Sequence, residues 1–422
     1  MSGWLAEGPF RFAVGIEDTF VPQQTAGQRK LDEYELTQHY QHWEEDLQLV
    51  ADSGADTVRW GIPWYLVQPE PDLFAWDWVD RVVERMAELN LRCVVDLMHF
   101  GTPLWLSGQF VSADYPARVA AYAAAAAERY HDRLSDWTPV NEPAVNAAYC
   151  GERGLWPPHL TGQRGFVTVL LQLAEGICRT QAAITDIQAD AAFVHVDAGF
   201  RLEGDRHPVP REVMEHRPYL ALDLVTGRVG EDHPLVPWLT ANGAEEHRLE
   251  WFRRHAVTPD VIGVNYYPAF TTVRYDEHGA VWPVEAGTHG LDELVRSYAQ
   301  RYGLPVMVTE TSRAGTVQDR RTWMAESLQC VADLRRDGIP VVGYTWFPFM
   351  TLVDWKYREA ESPVDDWLVH MGLVDLVREP GGDDLARHRT AALDDFHAAT
   401  RRGMPALGQA RPAVSGRSAG CR

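Results

Sequence analysis

Eight short apolar runs, each followed by a stretch of helical periodicity, constrain this chain more than any other feature. The runs are 10–16 (FRFAVGI), 56–62 (DTVRWGI), 91–100 (LRCVVDLMHF), 136–141 (DWTPVN), 191–198 (AAFVHVDA), 260–267 (DVIGVNYY), 304–310 (LPVMVTE) and 340–347 (PVVGYTWF). Most are near-continuous rather than alternating, as expected of parallel strands covered on both faces. Helical patterns fill the gaps. In 36–53, Tyr40, Trp43, Leu47 and Val50 fall on one helix face, and Gly54 is placed to end it. Val79, Val82, Met86 and Leu89 repeat the pattern, and 117–130, 166–186, 239–254, 289–302, 319–336 and 383–400 supply the later helices. Parallel strands need long crossovers, and eight such units close into a (β/α)8 barrel, an α/β fold. A doubly wound sheet is the rival layout, but neither G-x-G-x-x-G after the first run nor a Walker loop is present.

The 422 residues suit one such barrel with enlarged loops. The expected organisation is a single barrel over 1–402, with long loops at 199–240 and 268–288, and a disordered tail over 403–422, which has four glycines, two prolines and no acidic residue. Sixty acidic against 39 basic residues give a net charge of −21. That balance repels phosphate backbones and anionic lipid, so neither nucleic acid nor a membrane is an expected partner. The longest apolar stretch, 119–127, is far below the roughly 20 residues that span a bilayer. Five scattered cysteines without a C-x-x-C pair, and an N-terminus without a signal-peptide pattern, lead to the expectation of a reduced, cytoplasmic protein. An oligomer is neither indicated nor excluded.

In barrels of this kind, chemistry gathers at the carboxyl ends of the strands. Glu142 and Glu310 end the fourth and seventh runs, which face each other across the mouth. A lone glutamate at a strand end is ordinarily a solvated loop residue. Two that converge can cleave a glycosidic bond, one protonating the leaving oxygen and one acting at the sugar carbon. Asn141, Arg59 and Tyr267 flank the pair, and His99 ends the third run.

These residues carry a family resemblance. GADTVRWGIPW (54–64), His99-Phe100, TPVNEP (138–143), VIGVNYY (261–267), VTETS (308–312) and GYTWFPFMTLVDW (343–355) occur in the order of the corresponding segments of glycoside hydrolase family 1, the β-glucosidase family of clan A barrels, from about residue 10 to residue 400. The resemblance implies a retaining hydrolase of β-linked glycosides, with Glu310 as nucleophile and Glu142 as acid/base. It implies Arg59 and Tyr267 as supports of the nucleophile, and His99, Asn141, Trp346, Asp354 and Trp355 as sugar contacts. No metal or cofactor is implied, and the partner is a small-molecule glycoside. The chain resembles a divergent member. The family's sugar-gripping Gln has no aligned counterpart in IEDTFVPQQ, with Gln23 and Gln24 as displaced alternatives. Thr311-Ser312 replaces Asn-Gly, the segment from Trp346 to Trp355 is one residue longer, and Asp354 stands for a Glu.

Three other functions fit a barrel so altered. One is a transglycosidase or natural-product tailoring enzyme using the same pair. Another is a non-catalytic sugar-binding barrel. The third is a metal-dependent hydrolase built on His99, His195 and Asp197, although His-Val-Asp is not the His-x-His that sets two imidazoles on one strand face.

Overall fold

A computed structural model describes residues 8–203, 211–275 and 281–408. Eight parallel strands close into a barrel: β1 (Arg11–Gly15), β2 (Thr57–Gly61), β3 (Arg92–Asp96), β4 (Asp136–Thr138), β5 (Ala192–Ala198), β6 (Val261–Asn265), β7 (Val306–Thr311) and β8 (Val341–Trp346). Each pairs with its sequence neighbours, and β1 closes the ring between β2 and β8, with Gly15 opposite Arg59 and Val14 opposite Trp346. The principal helices follow in turn: α1 (His39–Asp52), α2 (Asp77–Glu88), α3 (Tyr115–Tyr130), α4 (Gly162–Ile187), α5 (Glu246–Arg254), α6 (Gly287–Tyr302), α7 (Val317–Arg336) and α8 (Ala391–Arg402). The expected (β/α)8 barrel is the observed fold.

The strands read as unbroken apolar runs because both faces are covered. Ala13, Val94, Val194, Val196, Val261 and Met307 fill the barrel interior together with Val342, beyond which a register shift in β8 resets the phase, while Val58, Trp60, Val95, Ile262 and Tyr344 join the larger core between strands and helices. Residues i and i+2 share a face. Val94 and Val261 inside the barrel therefore place Asp96, one step on, and Asn265, two steps on, inside it as well and nearer the mouth.

Three segments depart from the expectations. The stretch 199–240, read as loop, carries short helices at Leu220–Val225 and Val236–Ala241, with residues 204–210 outside the described region. In 268–288, also read as loop, Thr272–Tyr275 and Val281–Val284 pair antiparallel, and the first pairs in parallel with Arg201–Glu203. The helix read over 383–400 begins later: Leu385–Arg389 pairs antiparallel with Val374–Arg378, and α8 starts at Ala391 behind the Thr390 cap. Of the expected tail, residues 409–422 lie outside the described residues. Residues 403–408 pack on α7, where Arg335 donates to Pro405 O and accepts from Gly408 N through its own carbonyl. No described helix is long and apolar enough to cross a membrane.

Candidate active site

The mouth of the barrel holds a connected polar layer, and strand phase sets each member. Arg59 projects inward from β2 and is 1% exposed. Its Nη1 lies 2.5 Å from Glu310 Oε1, while Nη2 lies 2.7 Å from Asp96 Oδ2 and donates to Asn141 Oδ1 at 2.7 Å. Burial alone works against its charge, but Asp96, Glu310 and Asp18 outweigh that and hold the guanidinium protonated. Asp96 is held below the usual carboxylate range although it is buried, because Arg59 and then His99 favour its charge.

Glu310 reaches the interior through an irregularity in β7. The register shifts between Val308 and Glu310, so Thr309 and Glu310, consecutive in sequence, both join the interior layer. Thr309 donates to Asn265 Oδ1 at 2.7 Å. Such shifts re-aim side chains at barrel rims. Tyr267 donates to Glu310 Oε2 at 2.6 Å, so both carboxylate oxygens have a donor.

Glu142 sits just past β4 in the left-handed region, φ 43° and ψ 61°, where its amide donates to Val196 O. The residue after it, Pro143, opens a short helix over Pro143–Ala147. Glu142 Oε1 accepts from Asn265 Nδ2 at 2.9 Å. The same nitrogen lies 3.3 Å from Asn141 Oδ1, so the two glutamates are linked through Asn265, Asn141 and Arg59. Their surroundings differ in kind: Glu310 faces a guanidinium and a phenol, and Glu142 faces a neutral amide. Burial, then the charge of Glu310, raises the Glu142 carboxyl from 4.5 to about 8.

His99 is buried against Asn141, whose Nδ2 lies 2.7 Å from its Nε2, and against Asp18, whose Oδ1 lies 2.7 Å from its Nδ1. Trp355 packs in an aromatic wall with Phe100, Tyr149 and Trp156, at ring separations of 5.2, 5.7 and 5.2 Å. Asp354 turns one oxygen to its own segment, accepting from Lys356 N at 2.9 Å. Gln23 is turned to Thr102, and Gln24 is exposed, so neither is drawn into this layer.

Trp346 departs from the expectation. It is fully buried, belongs to the core outside the strands and donates to Met371 O, so it offers no ring face to a sugar. The ring that enters the mouth is Phe347, one residue later. It lies 5.3 Å from the Arg59 guanidinium and stacks 6.4 Å from His99. Gly15 allows this: a Cβ there would lie 2.2 Å from the Phe347 ring. Counted from Phe347, the extra residue before Trp355 disappears.

Sequence reasoning gave no role to Phe347, Asn265 or a group of buried acids, although Glu17, Asp18 and Asn265 stand at the ends of their runs. Glu17 accepts from Thr19 Oγ1 at 2.6 Å, and Glu33 accepts from Val353 N at 3.0 Å. Burial raises both carboxyls, and Glu310 adds to the rise at Glu17. Glu17 and Asp18 directly follow the first run, a position that signals the barrel mouth. Glu33 carries no such signal.

Among the described residues, Asp18, Asp96 and His99 form the one group of three metal-ligating side chains with ligand atoms within 4.8 Å. The Arg59 guanidinium already sits on Asp96 and supplies the compensating charge. His195 and Asp197 alternate with inward Val194 and Val196, so they face the helices, 3.4 Å from each other and not in that group. The metal site expected of His99, His195 and Asp197 in the rival reading does not assemble.

Residues 5–197 match the model of glycosyl hydrolase family 1. A β-glucosidase of Agrobacterium sp. is 26% identical over 375 residues, covering 75% of this chain and 77% of the relative. Over residues 5–197, a little under half of its length, the chain is similar to glycosyl hydrolase family 1. An aryl-phospho-β-D-glucosidase of Bacillus subtilis is 22% identical, covering 75% of this chain and 78% of the relative. A bifunctional β-D-glucosidase/β-D-fucosidase of Bifidobacterium breve is 30% identical over 118 residues, about a quarter of each chain. In fold, the chain is similar to a β-glucosidase from Thermotoga maritima in complex with galacto-hydroximolactam, with TM-score 0.79, 18% identity and coverage of 94% of this chain and 98% of that one.

Proposed function

We propose that the protein is a retaining β-glycosidase of β-glucosidase type, with Glu310 as nucleophile and Glu142 as acid/base. The carrying observation is the asymmetry of the pair. Glu310 has Arg59 and Tyr267 on its two oxygens, whereas Glu142 is buried against an amide and raised to about 8. One carboxylate suited to attack and one acid still protonated at neutral pH are what double displacement needs.

Glu310 attacks the anomeric carbon while Glu142 gives its proton to the leaving oxygen. The covalent ester removes the negative charge of Glu310, which lowers the Glu142 carboxyl and leaves it ionised, ready to act as the base. It then takes a proton from the water that attacks the ester and is recharged as an acid. Asn141 has committed its oxygen to Arg59 and one N–H to His99; its second N–H serves the glycone 2-hydroxyl. Phe347, in place of Trp346, gives the glycone an apolar face, and the wall around Trp355 receives the remainder of the substrate. The net charge of −21 favours a neutral glycone over a phosphorylated one.

The test is a panel of 2-fluoro glycosides followed by mass spectrometry of the labelled peptide. The expected label is on Glu310, with retention of anomeric configuration by NMR and carboxyl groups about 5–5.5 Å apart in a crystal structure. Label elsewhere, or an inverted product, overturns the proposal.

A further inference from the structure

Asp18 lies three residues beyond β1 with no role in the chemistry described above, yet it is fully buried against His99. Its place is prepared by β2. A Cβ on Gly61 would lie 2.0 Å from Asp18 Oδ2, so any other residue at 61 collides with the carboxylate. Asp18 and Gly61 fit as a pair. Burial raises the Asp18 carboxyl to about 7.

The proton on His99 follows from its neighbours. Asn141 Oδ1 accepts from Arg59 Nη2 at 2.7 Å and lies 3.3 Å from Asn265 Nδ2. Arg59 and Asn265 Nδ2 only donate, which fixes the amide orientation: the oxygen faces Arg59 and the NH2 faces His99. His99 Nε2, 2.7 Å from that NH2, must accept and carries no proton. Nδ1 lies 2.7 Å from Asp18 Oδ1 and 3.6 Å from Asp96 Oδ2. A bare nitrogen lone pair would repel an oxygen that close, so Nδ1 carries the proton. The contact is a close one made off the hydrogen-bond axis: neither His99 Nδ1 nor Asp18 Oδ1 meets hydrogen-bond geometry with any partner. Burial opposes a charged ring, but Asp18 and Asp96 outweigh it and by themselves push the imidazole well above its usual range; the Asn141 amide stands against them, because a second proton on Nε2 would point at its N–H groups, and that contact keeps the ring neutral.

We propose that Asp18 is a positioning residue: it holds His99 in the neutral Nδ1–H form, which fixes the Asn141 amide so that one N–H is presented to the glycone 2-hydroxyl. The chain is Asp18, His99, Asn141, Arg59, Glu310, and it ends on both the 2-hydroxyl contact and the nucleophile. Removing Asp18 frees His99 to place its proton on Nε2, whereupon Asn141 either turns over, losing Arg59, or loses His99.

The kinetic arm rests on the glycosidase reading; the spectroscopic arm does not. In full-length protein with nitrogen-15 histidine, long-range proton–nitrogen spectra at pH 7 are expected to show one buried imidazole as the neutral Nδ1–H form, assigned by its loss in His99→Gln. A neutral Nε2–H form or an imidazolium at His99 overturns the proposal. Asp18→Ala is expected to lower kcat/KM on 4-nitrophenyl β-glucoside about 10- to 100-fold, the scale seen when the support of a site residue is removed. The loss on the 2-deoxy glycoside is expected to be a small fraction of that, and Asp18→Asn, which retains an acceptor for Nδ1–H, restores most of the activity. Equal losses on both substrates mean a general structural role and also overturn it. If the parent turns over neither substrate nor takes the covalent label, the glycosidase reading fails, and the His99 spectrum alone decides for or against Asp18.

Discussion

Replacing Glu142 by Gln is expected to make the protein more stable while removing its acid/base. The carboxyl ionises near 4.5 in the unfolded chain and near 8 in the fold, where burial and Glu310 oppose its charge. Between those values the unfolded state has released a proton that the folded state retains, so stability falls as pH rises from about 4.5 to about 8 and is level above. At ~1.4 kcal/mol per unit, the penalty is about 3 kcal/mol at pH 7 and near zero at pH 4.5. Gln keeps the contact that Asn265 makes with Oε1 and has no proton to lose. Urea unfolding of parent and Glu142→Gln at pH 5, 6, 7 and 8 measures the difference, which should grow with pH. On the same variant, glycosides with poor leaving groups are expected to lose far more activity than dinitrophenyl glycosides, whose leaving group needs no proton. A stability difference that is flat with pH, or one that favours the parent at pH 8, would refute the placement of the proton on Glu142.

The parent itself should lose kcat/KM above pH about 8, tenfold per unit, as Glu142 deprotonates; a plateau to pH 10 contradicts the assignment. Arg59→Ala leaves Asp96 and Glu310 buried without their cation and should cost about 3–5 kcal/mol in thermal or urea unfolding as well as activity. Tyr267→Phe removes one donor from Glu310 and should lower kcat by about 10- to 100-fold while leaving the melting temperature within a few degrees, on the premise that a hydrogen bond to a charged group contributes about 1.5–3 kcal/mol. Phe347→Ala should raise KM and destabilise by about 3 kcal/mol, whereas Trp346→Phe should affect stability alone, since Trp346 is turned to the outer core.

The barrel was legible because buried parallel strands announce themselves by unbroken apolar runs, and the ends of those runs pointed to Arg59, His99, Asn141, Glu142, Tyr267 and Glu310. The less regular parts were not. Helices as short as Leu220–Val225 and Val236–Ala241 complete too few turns to reveal a period. The Leu385–Arg389 strand abuts α8, so its hairpin was absorbed into a helical pattern. At the end of β8 the larger aromatic, Trp346, drew the assignment, but strand phase sends Tyr344 and Trp346 to the same outer side and leaves Phe347 for the mouth. Burial of Glu17, Asp18 and Glu33 cannot be read from composition, since acidic residues ordinarily remain in water.

Arg59 grips residues that arise from three other strand ends: Asp96 on β3, Asn141 after β4 and Glu310 on β7. The same fork that serves the chemistry therefore braces the upper rim of the barrel. A lineage drifting toward a binding role cannot shed the nucleophile alone, because Arg59 would keep its charge with one partner fewer. Loss of activity in such a chain has to proceed through coordinated exchanges at several strand ends, and a descendant that still carries Arg59, Asp96 and Asn141 would record an enzymatic past in its rim.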